Sequence, residues 1–411
     1  MDAAWALPEE RESITGVMTS PFRLSERFAD VKSSPVRDIQ SVLGRDDVIS
    51  FAGGIPDASM FEVSDFAAAF DYVLTQQAGR ALQYATTQGE PELRTQVAAR
   101  MSRQLPTDAE HIQVTSGSQE GLFLVGMALV DPGDVVLVEQ PTYLAAVQAF
   151  SLAGARLVTV PSDDGGILPD ALAAAIAEHH PKFVYLVPNF QNPTGRTMPL
   201  QRRREVAEIL LRTGTPLLED DPYGELRFDG EPVPPLASLP GMAAQTVLQN
   251  SASKTMAPGV RIGWLRAEST ILRAVEIGKQ AVGLQTAVTD QLAVARYLAT
   301  CDLDAHVATV VEAYRARRDA MVDTLTAVLP DGASVNRPEG GMFLWAQLGG
   351  GIDTAEFLPR AVAGGVAYVP GWPFYASEPD RSTMRLSFVT VTPEVIAEGV
   401  GRLAKVFGWR C

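Results

Sequence analysis

The chain has 411 residues, 46% of them hydrophobic and 20% charged, which excludes a disordered protein and predicts two or three folded units around a large core. A net charge of −15 argues against a nucleic-acid partner, because duplex binding needs a basic face; any anionic ligand has to be held by local arginines. The longest apolar stretch, Gly121 to Val130, falls well short of the ~20 residues a membrane helix needs, so no membrane partner is expected. The start Met1-Asp2-Ala3-Ala4-Trp5 lacks the basic beginning and apolar core of a secretory signal, and the expectation is a cytoplasmic protein. Cys301 and Cys411 are the only cysteines and have no paired spacing, while His111, His179, His180 and His306 form no metal pattern. No metal is expected, and the histidines read as solvated or dipole-complementing.

In chain order, the first ~45 residues show no long element until Pro35 to Leu43 and read as an arm wrapped over another part of the protein. From about residue 65 to 290, helix-like and strand-like segments alternate, the sequence form of a mostly parallel α/β sheet. A short apolar strand precedes Thr115. The next strands are Asp134 to Glu139, Arg156 to Val160, Phe183 to Val187, Pro216 to Leu218, Val247 to Asn250 and Ile262 to Ala267, apolar enough to be buried on both faces. Helices fall between them, among them Ala171 to Ala177, opened by Pro169-Asp170, and Gln201 to Leu211. Beyond residue ~300 come a long helix, Leu303 to Val328, strand-like pieces at Met342 to Leu348 and Arg385 to Phe388, and a helix capped at Thr392-Pro393-Glu394 with Ile396, Val400, Leu403 and Phe407 on its core face. This organisation gives an arm and part of a smaller unit over 1–50, a large unit over 51–300 and a smaller α+β unit over 301–411.

The chemistry gathers just past the strand ends, where open α/β sheets bind their ligands. Ser251-Ala252-Ser253-Lys254 is followed by Arg261 seven residues after the lysine. A lysine amine can form a Schiff base with pyridoxal phosphate, and Ser251, Ser253 and Arg261 can balance the phosphate charge. A surface turn with scattered charges is the plainer alternative. Asn192, in the turn Pro188-Asn189-Phe190-Gln191-Asn192-Pro193-Thr194-Gly195, can donate to a phenolate oxygen or simply form an Asx turn. In Glu219-Asp220-Asp221-Pro222-Tyr223, a carboxylate on a pyridine nitrogen would favour its protonated form; a solvated loop carboxylate is the competing reading of either aspartate.

Thr115-Ser116-Gly117-Ser118-Gln119-Glu120-Gly121 opens a helix whose first N–H groups can meet an anion, or serves as an ordinary cap. Tyr143 can stack on a planar cofactor or pack in the core. Arg385, in a strand that otherwise reads as buried, wants a carboxylate, either a substrate's α-carboxylate or an internal ion-pair partner.

Together these segments, with Phe51-Ala52-Gly53-Gly54-Ile55-Pro56-Asp57 and Leu82-Gln83-Tyr84, resemble the fold-type I pyridoxal-phosphate aminotransferases of class I/II, most closely the 2-aminoadipate and kynurenine-type subgroup. The resemblance runs from about Ser34 to Phe407. It implies a large domain with a mostly parallel seven-stranded sheet between helices, a smaller α+β domain, and a homodimer with active sites at the interface. It also implies transfer of an amino group from an L-amino acid to a 2-oxo acid, ping-pong, through pyridoxamine phosphate. Lys254 would carry pyridoxal 5′-phosphate and move the proton, Asp220 would meet the pyridine nitrogen, and Asn192 and Tyr223 the phenolate oxygen. Tyr143 would stack on the ring, while Ser118, Gln119, Ser251, Ser253 and Arg261 would hold the phosphate with Tyr84 of the neighbouring subunit. Arg385, aided by the Gly54 backbone, would bind the α-carboxylate, and Arg37 lies where the subgroup has a mobile arginine that meets the substrate side chain. Ala252, Asn250 and Glu120 depart from the pattern, where phenylalanine, glycine and glutamine are frequent.

Two alternatives stay open. A lyase, cyclase or oxidase could use the same cofactor on the same fold. A ligand-sensing regulator module is disfavoured, because only ~50 residues precede Phe51 and they show no basic recognition helix.

Overall fold

The computed structural model describes residues 25–28 and 47–409. Its centre is a seven-stranded sheet built from β1 (Ile112–Thr115), β2 (Val135–Glu139), β3 (Arg156–Val160), β4 (Phe183–Leu186), β5 (Leu217–Asp220), β6 (Thr246–Ser251) and β7 (Gly263–Arg266), in the order β1-β7-β6-β5-β4-β2-β3. Strands β3, β2, β4, β5 and β6 pair in parallel, and β7 runs antiparallel to both neighbours. The expected strands are all present, with ends displaced by up to two residues.

Alternate residues of each strand face opposite ways and need cover on both sides. Val136, Val138, Phe183, Tyr185 and Leu218 pack with the helices α3 (Ser118–Leu129), α4 (Leu144–Ala153) and α7 (Ser269–Gly283). Their neighbours Val135, Leu137, Val184, Leu186 and Leu217 pack with α5 (Pro169–His179) and α6 (Leu200–Thr213) on the other face. Beyond β1 lies a helical layer of α1 (Val63–Gln76), α2 (Pro91–Met101) and α8 (Val288–Thr300).

The long helix α9 (Leu303–Val328) leads to a four-stranded antiparallel sheet of β8 (Ser334–Val335), β9 (Phe343–Gln347), β10 (Val369–Pro370) and β11 (Thr383–Ser387), ordered β8-β9-β11-β10. With α10 (Thr354–Ala363) and α11 (Pro393–Phe407) it forms a second core that also takes in Phe51 and Ala52. Segment 49–50 joins this layer by parallel pairing with Val366–Ala367. Ile396, Val400 and Leu403 are buried, as the spacing predicts; Phe407 is partly covered, stacked between Phe357 and Trp409.

Three expectations need correction or fall outside this frame. Thr392 stands at the N-cap of α11, but its hydroxyl makes no capping bond. His306 is not solvated: its side chain is largely buried, with Nδ1 3.6 Å from a Glu62 oxygen. The helix expected over Pro35 to Leu43 lies outside the described residues. Among the described residues, no helix is long and apolar enough to cross a membrane, and no group of His, Cys, Asp or Glu could hold a metal ion.

Candidate active site

The ends of β1, β5 and β6 share one edge of the large sheet, because Gly263 at the start of β7 lies opposite both Thr115 and Ser251. The β6–β7 connection therefore turns back at that edge, and Lys254 rides on it. Lys254 Nζ donates to the Gly54 carbonyl at 3.0 Å. Burial, followed by the charges of Arg385 and Arg261, lowers its pKa from the ordinary 10.5 to about 8. A far larger fraction of this amine is neutral near pH 7 than of a surface lysine.

Asp220 ends β5 and is 2% exposed, so it is not a solvated loop carboxylate. Tyr185 donates its hydroxyl to one carboxylate oxygen at 2.9 Å and Gln249 its amide to the other at 3.1 Å. Burial outweighs these two bonds and raises the pKa to about 6. Asp221 is also buried, but faces a different neighbour, accepting from Asn189 Nδ2 at 3.0 Å. Of the adjacent aspartates, Asp220 is the one with an ionic interaction with Lys254.

Helix α3 opens at this edge with Gly117 as its N-cap, at φ 83°, and no side chain caps it. A Cβ on Gly117 would lie 2.3 Å from Arg261 Nη2, so only glycine lets the guanidinium lie against the helix start. Arg261 Nη2 in turn donates to the Ser116 carbonyl at 2.9 Å. Across the turn, Ser251 Oγ and Ser253 Oγ are 2.8 Å apart, and the Ser253 N–H donates to Ser251 Oγ at 3.1 Å. Ser118 is the first residue of α3; Gln119 directs its amide to the Ala145 carbonyl at 3.0 Å. An uncapped helix N-terminus, an exposed guanidinium and serine hydroxyls form a donor set that suits a phosphate dianion.

Arg385, on β11, reaches the same site from the second sheet and is 3% exposed. Its Nη1 donates to Asn192 Oδ1 at 2.8 Å and its Nη2 to the Ala52 carbonyl at 3.0 Å, while Nε is buried without a partner. The guanidinium lies between the Phe343 and Phe374 rings, 4.3 and 5.1 Å from their centroids. No carboxylate of the described residues pairs with it. Burial lowers its pKa to about 10, so it stays charged near neutral pH. Tyr223 is buried, edge-on to Phe343, and its hydroxyl meets the Asn192 side chain; burial raises its pKa above the ordinary 10.

Of the other expected residues, Tyr143 stands at the N-cap of α4, partly buried against the α3–α4 core. Gly54 adjoins both charged groups: its carbonyl receives Lys254, and a Cβ there would lie 3.8 Å from Arg385 Nη2. Tyr84 is 75% exposed and, among the described residues, joins nothing at the site. Arg37 lies outside the described residues. The residues not anticipated are Tyr185, Gln249, Phe343 and Phe374. Gln249 carried a weak signal, as an amide directly after the apolar Val247 and Leu248 of β6; Tyr185 reads as ordinary core.

Residues 46–403 match the family model described as aminotransferase class I and II. The chain belongs to that family. This aminotransferase is 42% identical to aromatic-amino-acid aminotransferase 1 of Thermococcus litoralis, over 93% of each chain. It is 35% identical to a 2-aminoadipate transaminase of Thermus thermophilus, covering 94% of this chain and 97% of the relative. Among solved structures, it superposes with a TM-score of 0.88 on the Thermus thermophilus α-aminoadipate aminotransferase complexed with N-(5′-phosphopyridoxyl)-L-leucine, at 34% identity over 94% of this chain and 97% of the other. The chain is a transaminase of fold type I, and its cofactor is pyridoxal phosphate.

Proposed function

We propose that Lys254 carries the cofactor and moves the substrate α-proton, while Arg385 holds the α-carboxylate, in a ping-pong exchange between an L-amino acid and a 2-oxo acid. When bound, pyridoxal phosphate supplies an electrophilic aldehyde and a ring that accepts electrons from the α-carbon. With a pKa of about 8, Lys254 has a usable neutral fraction, the form that attacks a carbonyl and takes a proton. Asp220, at about 6, is ionised at pH 7 and would hold the protonated ring nitrogen, its oxygens steadied by Tyr185 and Gln249. Asn192 and Tyr223 would meet the phenolic oxygen and Tyr143 the ring face. Ser118, Gln119, Ser251, Ser253 and Arg261 would hold the phosphate.

The observation that carries this reading is the Ala52–Gly54 strap. Arg385 donates to its first carbonyl and Lys254 to its last, so a carboxylate anchor and a reactive amine flank three residues of backbone. An α-amino acid presents its carboxylate and amine on one carbon, which matches that pairing.

A homodimer fits the same reading, with Tyr84 of a second copy joining the phosphate site. Support comes from the exposed Leu82, Tyr84, Ile277, Val282 and Leu284, large apolar side chains that a second copy would cover. We also read 51–300 as the cofactor-bearing domain and 301–411, with part of 1–50, as the smaller one, in a protein that works in the cytoplasm. The test is a half-reaction: each of a panel of L-amino acids is added without an oxo-acid acceptor while cofactor absorbance and products are followed. One turnover per site, yielding the 2-oxo acid, is expected. No reaction with any amino acid, or continuous turnover, overturns the proposal.

A further inference from the structure

We infer that the buried Lys279 and its partly exposed partner Glu120 form a positioning pair that shapes the Ser116–Gly117–Ser118 anion cradle and sets its charge. The inference rests on the reading that this cradle takes the cofactor phosphate.

Lys279 lies on α7, in one helical stripe with Leu272 and Val275, and is fully buried. Its Nζ donates to Glu120 at 2.6 Å and to Thr286 Oγ1 at 2.8 Å. Glu120 is the third residue of α3, and the oxygen that accepts from the lysine also accepts the Ser116 N–H at 2.6 Å. Ser116 Oγ lies 3.2 Å from Thr286 Oγ1, and its carbonyl accepts Arg261 Nη2. The backbone N–H, side chain and carbonyl of Ser116 are thus all held, immediately before the glycine that lets Arg261 approach.

A pair that merely filled space could be apolar at less desolvation cost. Here the carboxylate is used to fix a backbone N–H of the cradle, where an apolar side chain has nothing to offer. Glu120 also places a negative charge in the first turn of the helix that is to receive a dianion. Uncompensated, it would repel the phosphate; Lys279 cancels it at hydrogen-bond distance, leaving Arg261 and the helix N-terminus to set the local field. Lys279 is enclosed and engaged with two partners, so it is not a second cofactor-bearing lysine.

The full-length chain, stripped of cofactor, is titrated with pyridoxal phosphate and separately with pyridoxal, which reacts with a lysine but brings no phosphate. Lys279→Met should weaken pyridoxal phosphate about tenfold or more while changing pyridoxal by less than about threefold. Lys279→Met/Glu120→Gln should return to within about threefold of wild type, since the repelling charge is gone and a glutamine oxygen can still accept the Ser116 N–H. Glu120→Gln alone should bind pyridoxal phosphate at least as tightly as wild type. Equal weakening toward both probes, no weakening, or a double variant as weak as Lys279→Met overturns the inference. If Lys279→Met does not fold, the other two variants decide: a tenfold loss of pyridoxal phosphate in Glu120→Gln overturns it. Borohydride trapping separates this from failure of the underlying reading, which would show as wild type forming no pyridoxal-phosphate adduct on Lys254.

Discussion

Two buried arginines of this aminotransferase are solvated by protein in opposite ways. Arg203, fully buried on α6, donates to the carbonyls of Met198, Pro234 and Pro188 and to Asn189 Oδ1, so its donors are taken up by the loops it ties together. Arg385, 3% exposed, has among the described residues two acceptors, an orphaned Nε and two aromatic faces. Among the described residues the lysines repeat the contrast, Lys279 paired with a carboxylate and a hydroxyl, Lys254 with a single carbonyl. A satisfied buried charge serves the fold, whereas an under-satisfied one is held at a cost that a ligand can repay. The under-satisfied pair meets at the Ala52–Gly54 strap.

Substitutions can break or sharpen this division. Lys254→Ala removes the one group proposed both to bond the cofactor and to move a proton. Transamination should fall by at least about 10⁴-fold, while the cofactor-free chain unfolds no earlier in a thermal scan. Arg385→Met should lower kcat/KM for amino acids by about 10²- to 10³-fold with little loss of folding stability. Arg203→Met should do the reverse, costing about 3–5 kcal/mol in urea unfolding by stranding several carbonyls. Destabilisation by Arg385→Met as large as that by Arg203→Met would erase the distinction. Gly117→Ala, which drives a methyl into Arg261 at a positive φ, should weaken pyridoxal phosphate about tenfold or more in an equilibrium titration.

A further effect is a pH dependence. In the cofactor-free protein Lys254 has a pKa of about 8 against an ordinary 10.5, so between these values the unfolded chain binds more protons. Stability therefore rises with pH across that window, and below it the buried amine costs on the order of 3 kcal/mol. Wild type should gain on Lys254→Ala as pH climbs from 8 to 10.5, read from urea midpoints; a difference that stays flat, or shrinks in favour of the variant, contradicts the assignment.

Much of this arrangement is legible in the residues. Apolar β-branched runs separated by helix-period segments give the sheet and its covering layers, and Lys254 and Asn192 fall just past strand ends, with Asp220 closing β5. The direction of β7 is not legible, because a four-residue strand, Gly263-Trp264-Leu265-Arg266, reads the same either way, and pairing with β1 and β6 decides it. Nor is the choice between Asp220 and Asp221, which share a sequence context and differ only in which face of the strand end each meets. Lys279 was hidden differently: its place in the Leu272–Val275 stripe marks it as inward-facing, but its partner is 159 residues away.

The distances along the chain between partners carry one more consequence. Lys254 meets Gly54 across 200 residues, and Arg385 meets Asn192 across 193 and Ala52 across 333. During synthesis, the lysine turn and the phosphate cradle emerge well before β11 does. A ribosome-bound chain can thus fold the Lys254 turn and the start of α3 first, and Arg385 joins them only when β11 leaves the exit tunnel and closes over the strap.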